Sequence, residues 1–278
     1  MVKKYIENFD DLTRLSQQII KRHPWGYLQC AVHGARGDGK SAFGLHVGRE
    51  VYQFQEGLSR TDAWEKMLGV GNYRKEHPCI LFDLNDVINT LEPMENIDFD
   101  NILEWQKENT MLFKLWDDTG MHGGKYRFFT DVKLVEALQG EMDTIRFILT
   151  CFMTTSPELS SVLKFMQDYK DQLIIRIKKH PDAPTKYNKM AVVKKYYEHY
   201  TGAFKKRVAW QTGFSCYVDP WVYEEYTRMK ARAILENRAR LKQIIKESQK
   251  IKHGKKSENE VMDDMGVPQE MKPILSSK

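Results

Sequence analysis

Nowhere does the chain carry an apolar run approaching the roughly 18 residues that a membrane-spanning helix needs. Its opening Met1-Val2-Lys3-Lys4-Tyr5-Ile6-Glu7 also lacks the apolar centre of a signal peptide. Both absences lead to the expectation of a cytoplasmic protein that does not enter a membrane. Cysteine is scarce: Cys30, Cys79, Cys151 and Cys216 are the four in 278 residues. They lie far apart, three of them in apolar runs, which argues for buried free thiols over a disulfide framework or a zinc site. The eight histidines are scattered, so no histidine-based catalysis is indicated, and His33 reads as the end of a strand. Metal beyond Mg²⁺ is not expected.

What is present is a chain of globular composition, 41% hydrophobic with a mean hydropathy of −0.58. It is long enough for one large domain and an accessory piece. The run Gly34-Ala35-Arg36-Gly37-Asp38-Gly39-Lys40-Ser41 fits the phosphate-binding P-loop pattern G-x-x-x-x-G-K-[ST] at every position. Glycines let backbone N–H groups turn toward a phosphate, Lys40 brings a cation to the β- and γ-phosphates, and the Ser41 hydroxyl completes a Mg²⁺ shell. Upstream, Tyr27-Leu28-Gln29-Cys30-Ala31-Val32 reads as a buried strand; downstream, Ala42-Phe43-Gly44-Leu45-His46-Val47 has helical apolar spacing. Strand, glycine loop and helix N-terminus together direct backbone amides and the helix dipole at an anion. Residues Gly34 to Ala42 are therefore the candidate nucleotide-binding segment. ATP and Mg²⁺ are the expected ligands, because no N/T-K-x-D segment for reading guanine is visible.

A second informative segment, Met111-Leu112-Phe113-Lys114-Leu115-Trp116-Asp117-Asp118-Thr119-Gly120, is an apolar strand that ends in two carboxylates. In the Walker B role Asp117 would hold Mg²⁺ through water, and Asp118 would orient and polarise the attacking water. The competing reading is an ordinary strand ending in a turn, where Asp is common. A position downstream of a glycine loop at domain-scale distance favours the first.

Between these motifs His77-Pro78-Cys79-Ile80-Leu81-Phe82-Asp83-Leu84 reads as a short strand, and Asn85 to Leu91 has helical spacing. Thr144 to Thr150 and Leu173 to Ile177 read as further apolar strands. Helices alternating with apolar strands define an α/β fold in three layers, a parallel sheet with helices on both faces. The strand inserted between the two motifs resembles the additional-strand P-loop ATPases, including the AAA+ and RecA-like families, in which an acid follows the Walker B Asp as Asp118 does here. The order from Phe147-Ile148-Leu149-Thr150 through Ser156-Pro157-Glu158-Leu159 to Gln172–Ile177 and Pro181-Asp182 is similar to that of bacterial replication initiators and helicase loaders. Their Asp-Asp-hydrophobic pattern is matched by Asp117-Asp118-Thr119 in its first two positions only. The chain also resembles ATPases carried by archaeal viruses and plasmids.

That resemblance implies a P-loop NTPase core and Mg-dependent ATP hydrolysis in DNA replication or maintenance. DNA, a helicase or other replication partner, and further copies of the chain are the implied partners. It also implies a phosphate-sensing polar residue at the end of the strand after the acidic one, for which Thr150 and Thr154 are both candidates. Thr is equally a good strand former, and Thr154-Thr155-Ser156 can start a helix. The family's arginine finger has no counterpart in Leu163-Lys164-Phe165-Met166-Gln167-Asp168-Tyr169-Lys170, which offers lysines only. A DNA-translocating or genome-packaging motor and a non-hydrolysing nucleotide-gated scaffold are the alternatives.

After Pro184 cations interleave with aromatics, in Lys186-Tyr187-Asn188-Lys189, Lys194-Lys195-Tyr196-Tyr197 and Phe204-Lys205-Lys206-Arg207. Such a surface can neutralise phosphates and stack on bases; the same pattern fits a small helical lid with an aromatic core and solvated lysines. From Asp219 the spacing predicts one long helix, with Asp219 as N-cap and Pro220 in the first turn. It is basic, with eleven Lys/Arg against four Glu between Trp221 and Lys256, and packing with a charged outer face is its default role. The expected organisation is an ATPase core over 1–184, a helical basic C-terminal region over 185–256 and a flexible tail over 257–278.

Overall fold

A computed structural model of the chain describes residues 6, 8–74, 78–119, 139–140, 142–158, 172–182, 186–198 and 204–252. Seven strands form one sheet: β1 (Leu28–His33), β2 (Ile80–Leu81), β3 (Met111–Trp116), β4 (Leu149–Ser156), β5 (Leu173–Lys179), β6 (Asn188–Glu198) and β7 (Phe204–Ser215). Their order across the sheet is β2-β3-β4-β1-β5-β6-β7. The first five are parallel and the last two antiparallel. Among the described residues the longer helices are α1 (Arg14–Ile20), α2 (Lys40–Gln55), α3 (Arg60–Leu68), α4 (Leu84–Asn89), α5 (Ile102–Asn109) and α6 (Pro220–Lys252).

The central strands are apolar along their whole length because both faces are covered: β4 is buried at every residue and β1 at all but its last. On one face α2 comes in close. A Cβ on Gly44 would stand 2.8 Å from a Leu115 methyl, and one on Gly48 2.6 Å from Met67 and 2.7 Å from the Phe113 ring. Glycine at these two positions is what lets the helix reach the sheet. Tyr52, one turn further, donates its hydroxyl to the Phe113 carbonyl at 3.1 Å. Side chains alternate along a strand, so Trp116 and Phe152 face the other way. There they pack with Leu81, with Val87 of α4, with Leu91 and with Met142 and Ile145 from a helical turn at 142–145. Helices therefore lie against both faces of a mostly parallel sheet, as expected from the alternation of elements.

Two expectations are corrected. The strand predicted over 144–150 is displaced: 142–145 is helical and the strand runs from Leu149 to Ser156. The run from Ile145 to Phe152 carries no Gly, Pro or Asn to mark the boundary, and a short apolar run does not by itself distinguish helix from strand. The stretch after Pro184, predicted to be helical, holds the β6–β7 pair, and among the described residues helix follows from Pro220. β6 pairs with β5 from Lys195 opposite Leu173 to Lys189 opposite Lys179, so the sheet crosses the boundary expected at residue 184. Buried positions here include Lys189, Ala191, Val192 and Val193, and a lysine among them hides the apolar signal.

By compactness the chain divides into Met1–Tyr223 and Glu224–Lys278. The first unit holds the sheet and α1 to α5. The described part of the second is the remainder of α6, where Arg228 pairs with Glu224 at 2.7 Å and with Glu225, three and four residues away on one helix face. The segments Leu163–Lys170 and 257–278 lie outside the described residues. Cys30, Cys79 and Cys151 are buried free thiols, and Cys216 is a half-buried one. No helix among the described residues is long and apolar enough to cross a membrane.

Candidate functional site

The glycine loop leaves the end of β1 and delivers the chain into the first turn of α2. Gly39 is the residue before that helix and is left-handed, at φ 89° and ψ 25°, a conformation that disfavours any side chain. Gly34 is required for a different reason: a Cβ there would lie 2.8 Å from the Ile177 carbonyl oxygen of β5. Asp38 donates its N–H to the Ala35 carbonyl at 3.2 Å, closing a turn whose outer residues Ala35, Arg36 and Gly37 are exposed. Lys40 folds back over this turn, its ammonium 2.9 Å from both the Gly34 and the Ala35 carbonyl oxygens. Ser41 and Ala42, in the first turn of α2, are half-buried.

The acidic end of β3 meets this loop. Ser41 donates its hydroxyl to Asp117 Oδ1 at 2.7 Å, across 76 residues of sequence. Asp117 is buried, and Thr155 of β4 donates to the same Oδ1, also at 2.7 Å. The Thr155 hydroxyl in turn accepts the Asp118 N–H at 2.8 Å, while Thr119 donates its hydroxyl to the Thr155 carbonyl at 2.7 Å. Asp118 has φ 56°; Asp and Asn are among the few side chains that tolerate this region.

Of the two threonines singled out by sequence, neither joins this cluster. Thr150 lies at the other end of β4, with His23 Nδ1 2.9 Å from its hydroxyl; five residues of strand separate it from Thr155, about 16 Å at a rise of about 3.3 Å per residue. Thr154 pairs across from Trp116 and faces the opposite side of the sheet, where its hydroxyl donates to the Cys30 carbonyl at 3.4 Å. Thr155 was missed because the strand was expected to end early. Continuing the period-2 alternation past Cys151 and Met153, which pair with Phe113 and Leu115, would have found it.

The surroundings are cationic. Burial lowers the pKa of His33, and the positive charges of Arg176, Lys194, Lys206 and Lys40 lower it further. A cleft of about 540 Å³ opens between the loop and β5; its lining includes His33, Gly34, Asp38, Arg176, Lys178 and Lys179. The strands converge their C-terminal ends here, where open α/β sheets bind ligands. The Ser41 hydroxyl and Asp117 carboxylate form a pair of hard oxygen donors. Such a pair fits Mg²⁺, which takes few protein ligands and fills its octahedron with water and phosphate oxygens.

A further set of contacts, not anticipated from sequence, ties the loop to the end of β7. A Cβ on Gly39 would lie 2.8 Å from Cys216 Cβ and 3.7 Å from the Lys189 chain. Cys216 donates its N–H to the Tyr187 carbonyl at 2.8 Å. His46 Nε2, on the second turn of α2, donates to the Tyr217 carbonyl at 2.8 Å. Burial, followed by the nearby Arg49 charge, pulls the His46 pKa down to about 4, so this imidazole is neutral.

No family model matches the chain. A curated relative, the "Uncharacterized protein B-251" of Sulfolobus spindle-shape virus 1, is 23% identical over 227 residues, which cover 78% of this chain and 79% of that protein.

Proposed function

We propose that the chain is an additional-strand P-loop ATPase of AAA+ type that binds ATP with Mg²⁺ at residues 34–42 and hydrolyses it in DNA replication or maintenance. The observation that carries this reading is the 2.7 Å hydrogen bond between Ser41 and Asp117. It joins the two motifs that sequence alone could only pair by analogy. The sheet order supports the subclass, because β4 stands between β1 and β3.

On this reading the backbone amides from Gly37 to Ala42 hold the phosphates, and Lys40 exchanges its two loop carbonyls for the β- and γ-phosphate oxygens. Ser41 and Asp117 are the residues that would hold Mg²⁺, which would supply positive charge to offset that of the phosphates. Asp118 holds the attacking water in line. Thr155 fixes the Asp117 carboxylate and the Asp118 backbone without touching the reacting atoms, which makes it a positioning residue. Catalysis is then electrostatic preorganisation. Initiation or helicase loading is the task that the sequence resemblance favours, with DNA, a helicase partner and further copies of the chain as its context.

The test is steady-state ATP turnover of the purified chain without DNA, with single-stranded DNA and with duplex DNA, using Asp118→Asn as control. Turnover present in the parent and lost in Asp118→Asn is the expected result. Turnover that persists at the parental rate in Asp118→Asn removes the site from the reaction.

A further inference from the structure

Resting on the ATP reading above, the geometry points to where the base of the nucleotide lies: we infer that Tyr187 and Tyr217 form a stacking platform for it. The direction follows from the sheet. The acidic corner at Asp117 and Asp118 is two strands from β1 on one side, so the reacting end of a triphosphate held by the loop points that way. The nucleoside end leaves on the opposite side, toward β5, β6 and β7.

On that side the protein offers two aromatic rings tied to the loop. Tyr187 and Tyr217 meet edge to face, with centroids 5.7 Å apart and planes at 85°. Both are exposed, at 45% and 47%, so they are not core. Their backbones are nevertheless fixed. Cys216, in van der Waals contact with Gly39, donates to the Tyr187 carbonyl at 2.8 Å, and His46 donates to the Tyr217 carbonyl at 2.8 Å. The Tyr217 N–H is itself held by Ser215 Oγ at 3.2 Å. Lys186 Nζ stands 5.4 Å from the Tyr187 ring centre. A solvent-facing ring pair, whose backbones are tied on one side to the glycine before α2 and on the other to α2 itself, presents a π surface beside the loop. Flat aromatic faces stack on any nucleobase.

The experiment measures binding of Mg-ATP and of Mg-tripolyphosphate by calorimetry to the full chain and to Tyr217→Ala, Tyr187→Ala, Tyr217→Phe and Lys40→Ala. Loss of a ring should weaken ATP about tenfold, the scale of one lost base stack, and leave tripolyphosphate unchanged. Tyr217→Phe should bind both ligands as the parent does. Unchanged ATP affinity in both alanine variants overturns the platform, as does equal weakening of both ligands, which would mean a distorted loop. Single-stranded DNA is titrated into the same variants, and a loss confined to it overturns the platform too and assigns the rings to nucleic acid. Lys40→Ala should lose both ligands; if it keeps parental affinity for both, the phosphate-loop reading itself fails, independently of the tyrosines.

Discussion

Thr155 and Asp117, 38 residues apart, share a 2.7 Å hydrogen bond in which the threonine hydroxyl donates to the carboxylate. The threonine Oγ1 in turn accepts the Asp118 N–H at 2.8 Å. One hydroxyl thus holds the Asp117 carboxylate and the Asp118 backbone, and its removal takes a hydrogen bond from each.

Thr155→Val, which keeps the shape and removes the hydroxyl, is expected to leave ATP affinity within about twofold and to lower kcat about tenfold or more, since a lost partner for a buried polar group costs about 1–3 kcal/mol. Thr155→Ser should recover most of the rate. Thr150→Val serves as the contrast, with kcat unchanged, because that residue sits at the far end of β4. Single-turnover kinetics with all three variants decides it; equal losses from Thr150 and Thr155 would refute the assignment.

Asp118 carries a second, separable burden in its positive φ. Asp118→Asn and Asp118→Gly both tolerate that backbone and should keep the parental thermal midpoint while losing turnover. Asp118→Ala should lose turnover and, in addition, about 1 kcal/mol of stability, the cost of a left-handed residue with an ordinary Cβ. Denaturant melts of the three proteins, set beside their ATPase rates, separate the two effects. Identical midpoints for Ala and Gly would rule out the backbone argument.

His46 makes stability depend on acid. Its folded pKa of about 4 lies below the ordinary 6.5, so between those values the unfolded chain binds a proton that the folded chain does not. Its stabilising contribution is therefore complete above pH 6.5 and is lost as pH falls toward 4, by up to about 3 kcal/mol for a shift of this size. Thermal midpoints of the parent should fall more steeply over this range than those of His46→Gln. Parallel profiles would show that the imidazole is not the titrating group.

Packing beneath the loop gives a stability test independent of nucleotide. Gly48→Ala pushes a methyl to within 2.6 Å of Met67 and 2.7 Å of Phe113, and overpacking of this kind costs about 1–3 kcal/mol. Urea melts should register that loss. A variant as stable as the parent would mean that α2 can retreat from the sheet.

For DNA, the residues to remove are Lys195, Lys206 and Arg207, which lie on paired strands with Lys195 opposite Arg207 and Lys206 opposite Tyr196. Lys206 Nζ lies 4.9 Å from the Tyr196 ring centre. If this end of β6 and β7 contacts phosphates, each alanine substitution should flatten the slope of log affinity against log salt by about 0.7–0.9. Affinity measured at several salt concentrations provides the check, and unchanged slopes would exclude this edge of the sheet.

Much of the site was legible because its chemistry is local. Eight consecutive residues specify the loop, and a run of apolar residues ending in two Asp specifies β3. β5 and α6 were equally readable, the first from Leu173-Ile174-Ile175 and the second from its uninterrupted helical spacing. What the sequence hid is non-local. Thr155 matters through its register against Asp117, which depends on where β4 begins, and nothing in Ile145 to Phe152 marks that start. The β6–β7 pair was hidden because its cations interleave with aromatics in a way that also fits a helical lid, and buried Lys189 breaks the apolar pattern beside Ala191, Val192 and Val193. Tyr217 gained its place from a carbonyl bond to His46, a contact without any side-chain signature.

The antiparallel pairing of β6 with β7 also has a mechanical meaning. Cys216, just past one end of the pair, touches the glycine loop, while Lys205 lies at the other end, roughly 36 Å along an extended chain. A ladder of paired backbone bonds is inextensible along its length, so the pair acts as a beam of fixed span. Its register shifts between Val193 and Lys194, which is where such a beam can flex.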